Sequence, residues 1–136
     1  MGENGERDDE HSVRIFKDKW FARFARRNEI TDRDLCDAIE RAERGLIDAD
    51  LGGNVIKQRI PRPNEGRSGG YRTIILFRLH ERAFFVFGFA KNERDNISAA
   101  DLRDFRDAAV LLLGYSDEQL AVAVENEILT EVNCDE

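Results

Sequence analysis

The stretch that decides the fold runs from Val55 to Lys91 and reads VIKQRI-PRPNEGRSGG-YRTIILFRLH-ERAFFVFGFA-K. In its first part, residues 55–61, polar and apolar residues alternate with the period of a β-strand. Lys57 and Arg59 therefore share one face, and the isoleucines lie on the other. Residues 62–70 are full of turn-forming residues and predict a loop.

Two further strands are predicted in the same stretch. Residues 71–79 and 83–91 are apolar on both faces, which is typical of central strands of a sheet. His80 lies in the turn that joins them. On strict alternation, Lys91 shares a face with Phe85, Phe87 and Phe89.

Helical patterns flank these strands on both sides. Together they predict an α+β fold, with N-terminal helices on one face of a mainly antiparallel sheet and C-terminal helices after it. The predicted segments are a strand at 13–16, a helix around Trp20–Ala25, a helix from Thr31 to Gly45, a helix from Ser98 to Gly114, a helix from Ser116 to about Glu125, and an edge strand at 128–132.

Length and composition exclude several classes of protein. The chain has 136 residues, 41% hydrophobic and 36% charged. We expect a disordered acidic tail at residues 1–12 and a single domain at 13–132. The apolar runs are too short to span a bilayer, and the start of the chain lacks the apolar segment of a signal peptide. Cys36 and Cys134 argue against both a disulfide scaffold and a zinc site, which makes the cytoplasm the default compartment.

The net charge of −7 is unevenly distributed. Residues 1–12 and 95–136 are acidic, whereas residues 55–94 contain nine basic and three acidic residues. A partner carrying phosphate is therefore compatible with the central stretch, although a basic stretch of this size is more often a solvated surface.

Classical metal and triad enzymes are not expected. The histidines are His11, in the tail, and His80, in a turn, and there is no zinc-binding cluster, P-loop or usable triad histidine. The sequence thus predicts neither a metal nor another cofactor.

A basic face on the sheet suits single-stranded RNA, because cations hold phosphates and aromatic rings stack on bases. The same groups can cleave RNA without a metal. A 2′-hydroxyl attacks the adjacent phosphate, arginine stabilises the charge that develops, and a lysine among arginines more readily acts as a base. The candidate residues are Lys57, Arg59, Arg62, Arg67, Arg72 and Lys91, with Tyr71 and Phe89 as aromatic surface.

Three motifs in this order resemble the RelE/HigB toxins of bacterial type II toxin–antitoxin systems. They are VIKQR at 55–59, RSGGYR at 67–72 and FAKNER at 89–94. The segments WFAR at 20–23 and RGLIDADLGG at 44–53 are similar to one RelE-like subgroup. The resemblance covers about residues 13–132.

The resemblance implies a microbial ribonuclease-like fold and ribosome-dependent cleavage of messenger RNA. It also implies neutralisation by a cognate antitoxin, often a helix-turn-helix protein encoded beside the toxin. Residue by residue, it implies Lys57 as proton acceptor, Arg72 as charge stabiliser and Lys91 as a basic residue near the site. Arg59 and Arg67 would then hold RNA phosphates.

The chain departs from the family at two positions. Asn92 and Ser98 stand where well-known members have an arginine and a tyrosine. As neighbours on a strand, Tyr71 and Arg72 point to opposite faces, which favours a core position for the Tyr71 ring. Two alternatives stay open: a ParE-like toxin that binds DNA gyrase without catalysis, and a decayed toxin that only binds its antitoxin.

Overall fold

The computed structural model describes residues 13–62, 70–91 and 96–134. The predicted N-terminal tail and most of the loop at 62–70 lie outside these residues. The elements are β1 (Arg14–Asp18), α1 (Lys19–Arg27), α2 (Asp32–Glu43), β2 (Ala49–Gly52), β3 (Val55–Ile60), β4 (Tyr71–Arg78), β5 (Arg82–Ala90), α3 (Ala99–Leu113), α4 (Asp117–Glu125) and β6 (Leu129–Val132).

The predicted α+β architecture is confirmed. One six-stranded sheet has the order β2-β3-β4-β5-β1-β6, and only the β1–β5 pairing is parallel. The weak pattern at 128–132 does form an edge strand, β6. The short strand β2 was not predicted. Ala49 and Leu51 do alternate with the exposed Asp50 and Gly52, but the segment is only four residues long, and aspartate and glycine are uncommon in strands.

Helices cover both faces of the sheet, whereas the sequence predicted them on one face. Neighbouring residues of β4 show this most directly: Ile75 packs under α1 and α2, and Ile74 packs under α3 and α4. Consecutive side chains of a strand point to opposite faces, so the two cores lie on opposite sides of the sheet. The apolar character of β4 and β5 on both faces has this physical cause.

A β-bulge in β5 corrects one prediction about shared faces. Ile74 of β4 pairs with Phe87, and Ile75 pairs with Phe85, so Val86 is the extra residue. The bulge shifts the alternation by one position. Phe85 therefore belongs to the core beneath α1 and α2. Of the three phenylalanines predicted to share a face with Lys91, Phe87 and Phe89 remain on the other face.

A disulfide joins Cys36 of α2 to Cys134, which follows β6. The sequence argued against a disulfide framework because the two cysteines are 98 positions apart and form no recognisable pattern. The fold brings them together because β6 pairs with β1 beside α2, and their Cα atoms are 5.9 Å apart. A hydrogen bond from Asn133 N to Asp32 Oδ2 (3.3 Å) supports the same junction.

The N-terminus of α1 contains a carboxyl group that burial disfavours in its charged form. Asp18 accepts a hydrogen bond from Phe21 N at 2.8 Å and so caps the helix. Desolvation raises the pKa of Asp18 to about 6, against the opposing effects of that bond and of Arg23.

We expect reduction of the disulfide to destabilise the fold. A bridge closing a loop of about 100 residues stabilises by about 4–5 kcal/mol in the chain-entropy account. Urea unfolding of the oxidised protein with and without reductant measures the change. The Cys36→Ser/Cys134→Ser variant is the control, since its midpoint should match that of the reduced wild type. An unchanged midpoint on reduction would contradict the prediction.

We also expect Asp18→Asn to stabilise the protein above pH 6 and to have little effect near pH 4. Because the pKa of Asp18 is higher in the folded than in the unfolded chain, the folded state binds more protons between these pH values. Its contribution to stability is thus present below the unfolded pKa and is lost as pH rises through about 6. Asparagine caps equally well and carries no charge. Thermal unfolding from pH 4 to 8, with the exposed Asp104→Asn as control, tests this.

Candidate functional site

The pairing of β3 with β4 sets two arginines side by side. Arg59 is directly opposite Arg72, and Arg72 is opposite Phe89 of β5. Directly paired residues of antiparallel strands project from the same face, so these three side chains form a row across the sheet. Lys57 lies on this face too, two residues from Arg59, as predicted from the alternation.

Both arginines are half-buried, and each has one buried nitrogen without a protein partner. Arg59 Nη1 and Arg72 Nη1 find no hydrogen-bond acceptor among residues 13–62, 70–91 and 96–134. A buried donor without an acceptor is costly, more so on a charged group. Adjacent guanidinium groups also repel each other, and an anion that accepts from both relieves both costs. The pair thus has the chemistry of a site for a phosphate group.

Lys57 is partly exposed at the border of this face. Its Nζ is 3.4 Å from Asn96 Oδ1, in the segment that leads into α3. Ser98 lies in the same segment, and its Oγ accepts a hydrogen bond from Asp101 N at 3.0 Å. The serine that stands in place of the family's tyrosine therefore caps α3.

Tyr71 lies in the core on the opposite face, as its strand parity favours. It is 5% exposed, and its ring packs edge-on against Phe24. Its hydroxyl accepts hydrogen bonds from Arg62 (2.7 Å from Nη2) and donates one to Asn28 Oδ1 (3.1 Å). The guanidinium of Arg62 also lies over the Tyr71 ring, 4.7 Å from its centroid. Arg62 and Tyr71 thus form a polar cluster apart from Arg59 and Arg72.

The remaining candidate residues, Phe89, Lys91 and Arg67, do not share one environment. Phe89 shares the face of Arg72 but is only 5% exposed, so its ring offers little area for stacking. Lys91 is exposed immediately after β5. Arg67 and Asn92 lie outside the described residues.

Two residues that the sequence did not single out hold the backbone of Arg59. The ladder between β2 and β3 reaches only to the pair of Ala49 and Lys57. Beyond it, Arg59 N donates to Asp48 Oδ2 (2.6 Å), and Arg59 O accepts from Arg41 Nη2 (2.7 Å). Side chains here take the place of a neighbouring strand.

Gln58 reinforces this arrangement from the core side. It is fully buried, its Oε1 accepts from Asp48 N (2.7 Å), and its Nε2 donates to Ala38 O (3.0 Å). A polar residue between Ile56 and Ile60, on the apolar face of a strand, was the one sequence signal for these contacts. A buried amide needs partners, which must come from another segment of the chain.

Groups of histidine, cysteine, aspartate or glutamate suited to a metal ion do not occur in the part of the chain that the structure describes. Among the same residues, there is no helix both long and apolar enough to cross a membrane.

A family model described as the RelE toxin of the RelE / RelB toxin-antitoxin system matches residues 13–132. No curated protein matches the chain.

We expect Asp48→Ala to loosen the strand at Arg59. The substitution removes the acceptor of the Arg59 amide and costs about 1–2 kcal/mol locally. Amide hydrogen exchange followed by NMR should show about tenfold faster exchange at Arg59 or more. Asp50→Ala is the matched control, because the Asp50 carboxylate accepts a hydrogen bond from Gly52 N within β2 and not from Arg59. Equal exchange of the Arg59 amide in the two variants would refute this role of Asp48.

Proposed function

Since the chain belongs to the RelE toxin family, and is thus a toxin of a toxin–antitoxin system, we propose that it is an endoribonuclease that needs no metal and cleaves ribosome-bound messenger RNA. The observation that carries the proposal is the pair Arg59 and Arg72, whose buried Nη1 atoms lack protein acceptors within the described residues. The cut would stop translation.

The proposed reaction is an attack by the RNA on its own backbone. The 2′-oxygen forms a bond to the adjacent phosphorus, the bond from phosphorus to the 5′-oxygen breaks, and the products are a 2′,3′-cyclic phosphate and a 5′-hydroxyl. The protein must accept the proton of the 2′-hydroxyl, stabilise the added charge on the phosphoryl oxygens, and allow a proton to reach the 5′-oxygen.

Each step has a candidate residue on the same part of the sheet. Lys57 accepts the proton of the 2′-hydroxyl. Arg72 stabilises the charge on the phosphoryl oxygens through its fork of donors, and Arg59 beside it holds the same or the neighbouring phosphate. Lys91, exposed at the end of β5, supplies a proton to the leaving 5′-oxygen.

Further residues bind rather than react in this proposal. Arg67 would hold a phosphate of the RNA. Arg62 would bind RNA as a separate contact, because its guanidinium lies over the Tyr71 ring, apart from the arginine pair, and Tyr71 itself packs in the core. Phe89 contributes at most an edge for a base to contact.

The proposal includes partners and a location. The family implies an antitoxin partner. We propose that this antitoxin is a helix-turn-helix protein encoded beside the toxin and that the other partners are the ribosome and messenger RNA. We also propose that the protein acts in the cytoplasm, where messenger RNA is translated, although the Cys36–Cys134 disulfide removes the cysteine argument for that compartment.

One observation favours an alternative. Ser98 caps α3, so the tyrosine that well-known family members have there is replaced by a residue with a structural task. This is what a decayed toxin that only binds its antitoxin would show. A gyrase-binding toxin is the other alternative, but it would have no need for Lys57, Arg59 and Arg72 on one face.

Cell-free translation separates these proposals. Purified protein is added to a translating message, and 5′ ends are mapped with and without ribosome engagement. We expect cuts that depend on the ribosome and that fall about 100-fold or more in Arg72→Ala, as is typical when a group that stabilises transition-state charge is removed. The matched control is Arg103→Ala, an exposed arginine on α3.

Lys57→Ala should lose cleavage while keeping the fold and antitoxin binding. Full cleavage by the Arg72→Ala variant would contradict the proposed mechanism. Folded wild-type protein that makes no cut favours a decayed toxin, or a gyrase-binding toxin if it also lowers DNA supercoiling in vitro.

A further inference from the structure

An apolar groove lies along α4, far from the arginine pair. α4 packs on β6, which forms one edge of the sheet, whereas Arg59 and Arg72 lie on β3 and β4, towards the other edge. The groove has a volume of about 350 Å³, and Val122 and Ile128 on its surface are each 53% exposed. Its lining residues are Tyr115, Glu118, Gln119, Val122, Ala123 and Ile128.

Carboxylates border the groove. Glu118, Val122 and Glu125 follow one another at helical spacing, so the two acids flank the exposed valine on one face of α4. Within the residues that the structure describes, neither these glutamates nor Glu127 forms an ion pair, whereas Asp117 pairs with Arg82 at 3.1 Å.

Residues 107–136 offer no cation to neutralise them, and Arg82, which donates a hydrogen bond to Tyr115 O beside the groove, is paired with Asp117. Residues 107–136 contain eight acidic residues and not one lysine, arginine or histidine. An exposed apolar groove with a charged rim is typical of a surface that binds another protein, and the sign of the rim predicts the sign of the partner. The partner that fits presents an apolar side chain flanked by lysine or arginine.

The charge argues against two other occupants. RNA phosphates are repelled by an acidic surface. A symmetric dimer through the groove would set the same acidic patch against itself, since a twofold interface pairs identical surfaces.

We propose that this groove is the docking surface for a basic amphipathic segment of the antitoxin. The inference rests on membership of the toxin family, which implies an antitoxin, and not on the cleavage of RNA. Because the groove is remote from Arg59 and Arg72, the segment would bind there without contacting the arginine pair.

The test uses the full-length toxin and the protein encoded beside it, with affinity measured by calorimetry. Val122→Asp should weaken the complex about tenfold or more, because it sets a charge in the centre of the apolar contact. The matched control is Val110→Asp. Val110 is 80% exposed on α3 and does not line the groove, so this variant should bind as the wild type does. Circular dichroism checks that both variants fold.

A second variant keeps the shape of the groove and removes its charge. Glu118→Gln/Glu125→Gln should weaken binding several-fold at low salt and reduce the dependence of affinity on salt concentration. Its matched control is Asp104→Asn/Asp107→Asn on α3.

Equal affinities for the Val122→Asp and Val110→Asp proteins would overturn the proposal, as would a charge-neutral variant that binds like its control. So would failure of the neighbouring protein to bind the wild type. The remaining control is sedimentation of the toxin alone. If the toxin forms a dimer that Val122→Asp abolishes, the groove binds a second copy of the chain and not the antitoxin, and the proposal is overturned. None of these outcomes depends on RNA cleavage. The Arg72→Ala experiment therefore tests the proposed activity independently of the docking surface.

Discussion

The burial of β4 on both faces is the constraint on which the rest of the structure depends. Ile74 and Ile75 are both completely buried and belong to different cores. A strand buried on both sides must be covered by helices on both sides, because its apolar side chains cannot face water. The helices α1 and α2 therefore cover one face, and α3 and α4 cover the other.

The candidate site arises where this double burial ends. Arg72 is the second residue of β4, and its face changes from apolar to basic between Ile74 and Arg72. On β3 the same change occurs between Val55 and Lys57. The arginine pair is thus held by a rigid sheet at the border of a core, with one nitrogen of each guanidinium out of water. Such groups lose little freedom when an anion binds, since the strands already position them.

Local pattern explains how much of the site could be predicted. Successive side chains of a strand point to alternate faces. This rule correctly placed Lys57 and Arg59 on one face. It also correctly placed the ring of Tyr71 on the face opposite Arg72, in the core. The same rule failed in β5, where the bulge at Val86 separates Phe85 from Phe87. The one local signal in residues 83–90 was Gly88, because an isolated glycine in a strand marks either a bulge or a close approach, and the sequence does not distinguish the two.

Sequence by itself determined the α+β class, the starts of the last three helices, the three central strands and the basic face, since each follows from contacts or periodicities within a few residues. Tertiary structure alone decided what surrounds that face. Asp48 and Arg41 reach the backbone of Arg59 from outside the sheet, and Cys134 returns to Cys36 across 98 positions. It also left Val122 exposed between Glu118 and Glu125, neither of which forms an ion pair within the described residues. These features depend on which distant segments pack together, and no local period encodes that.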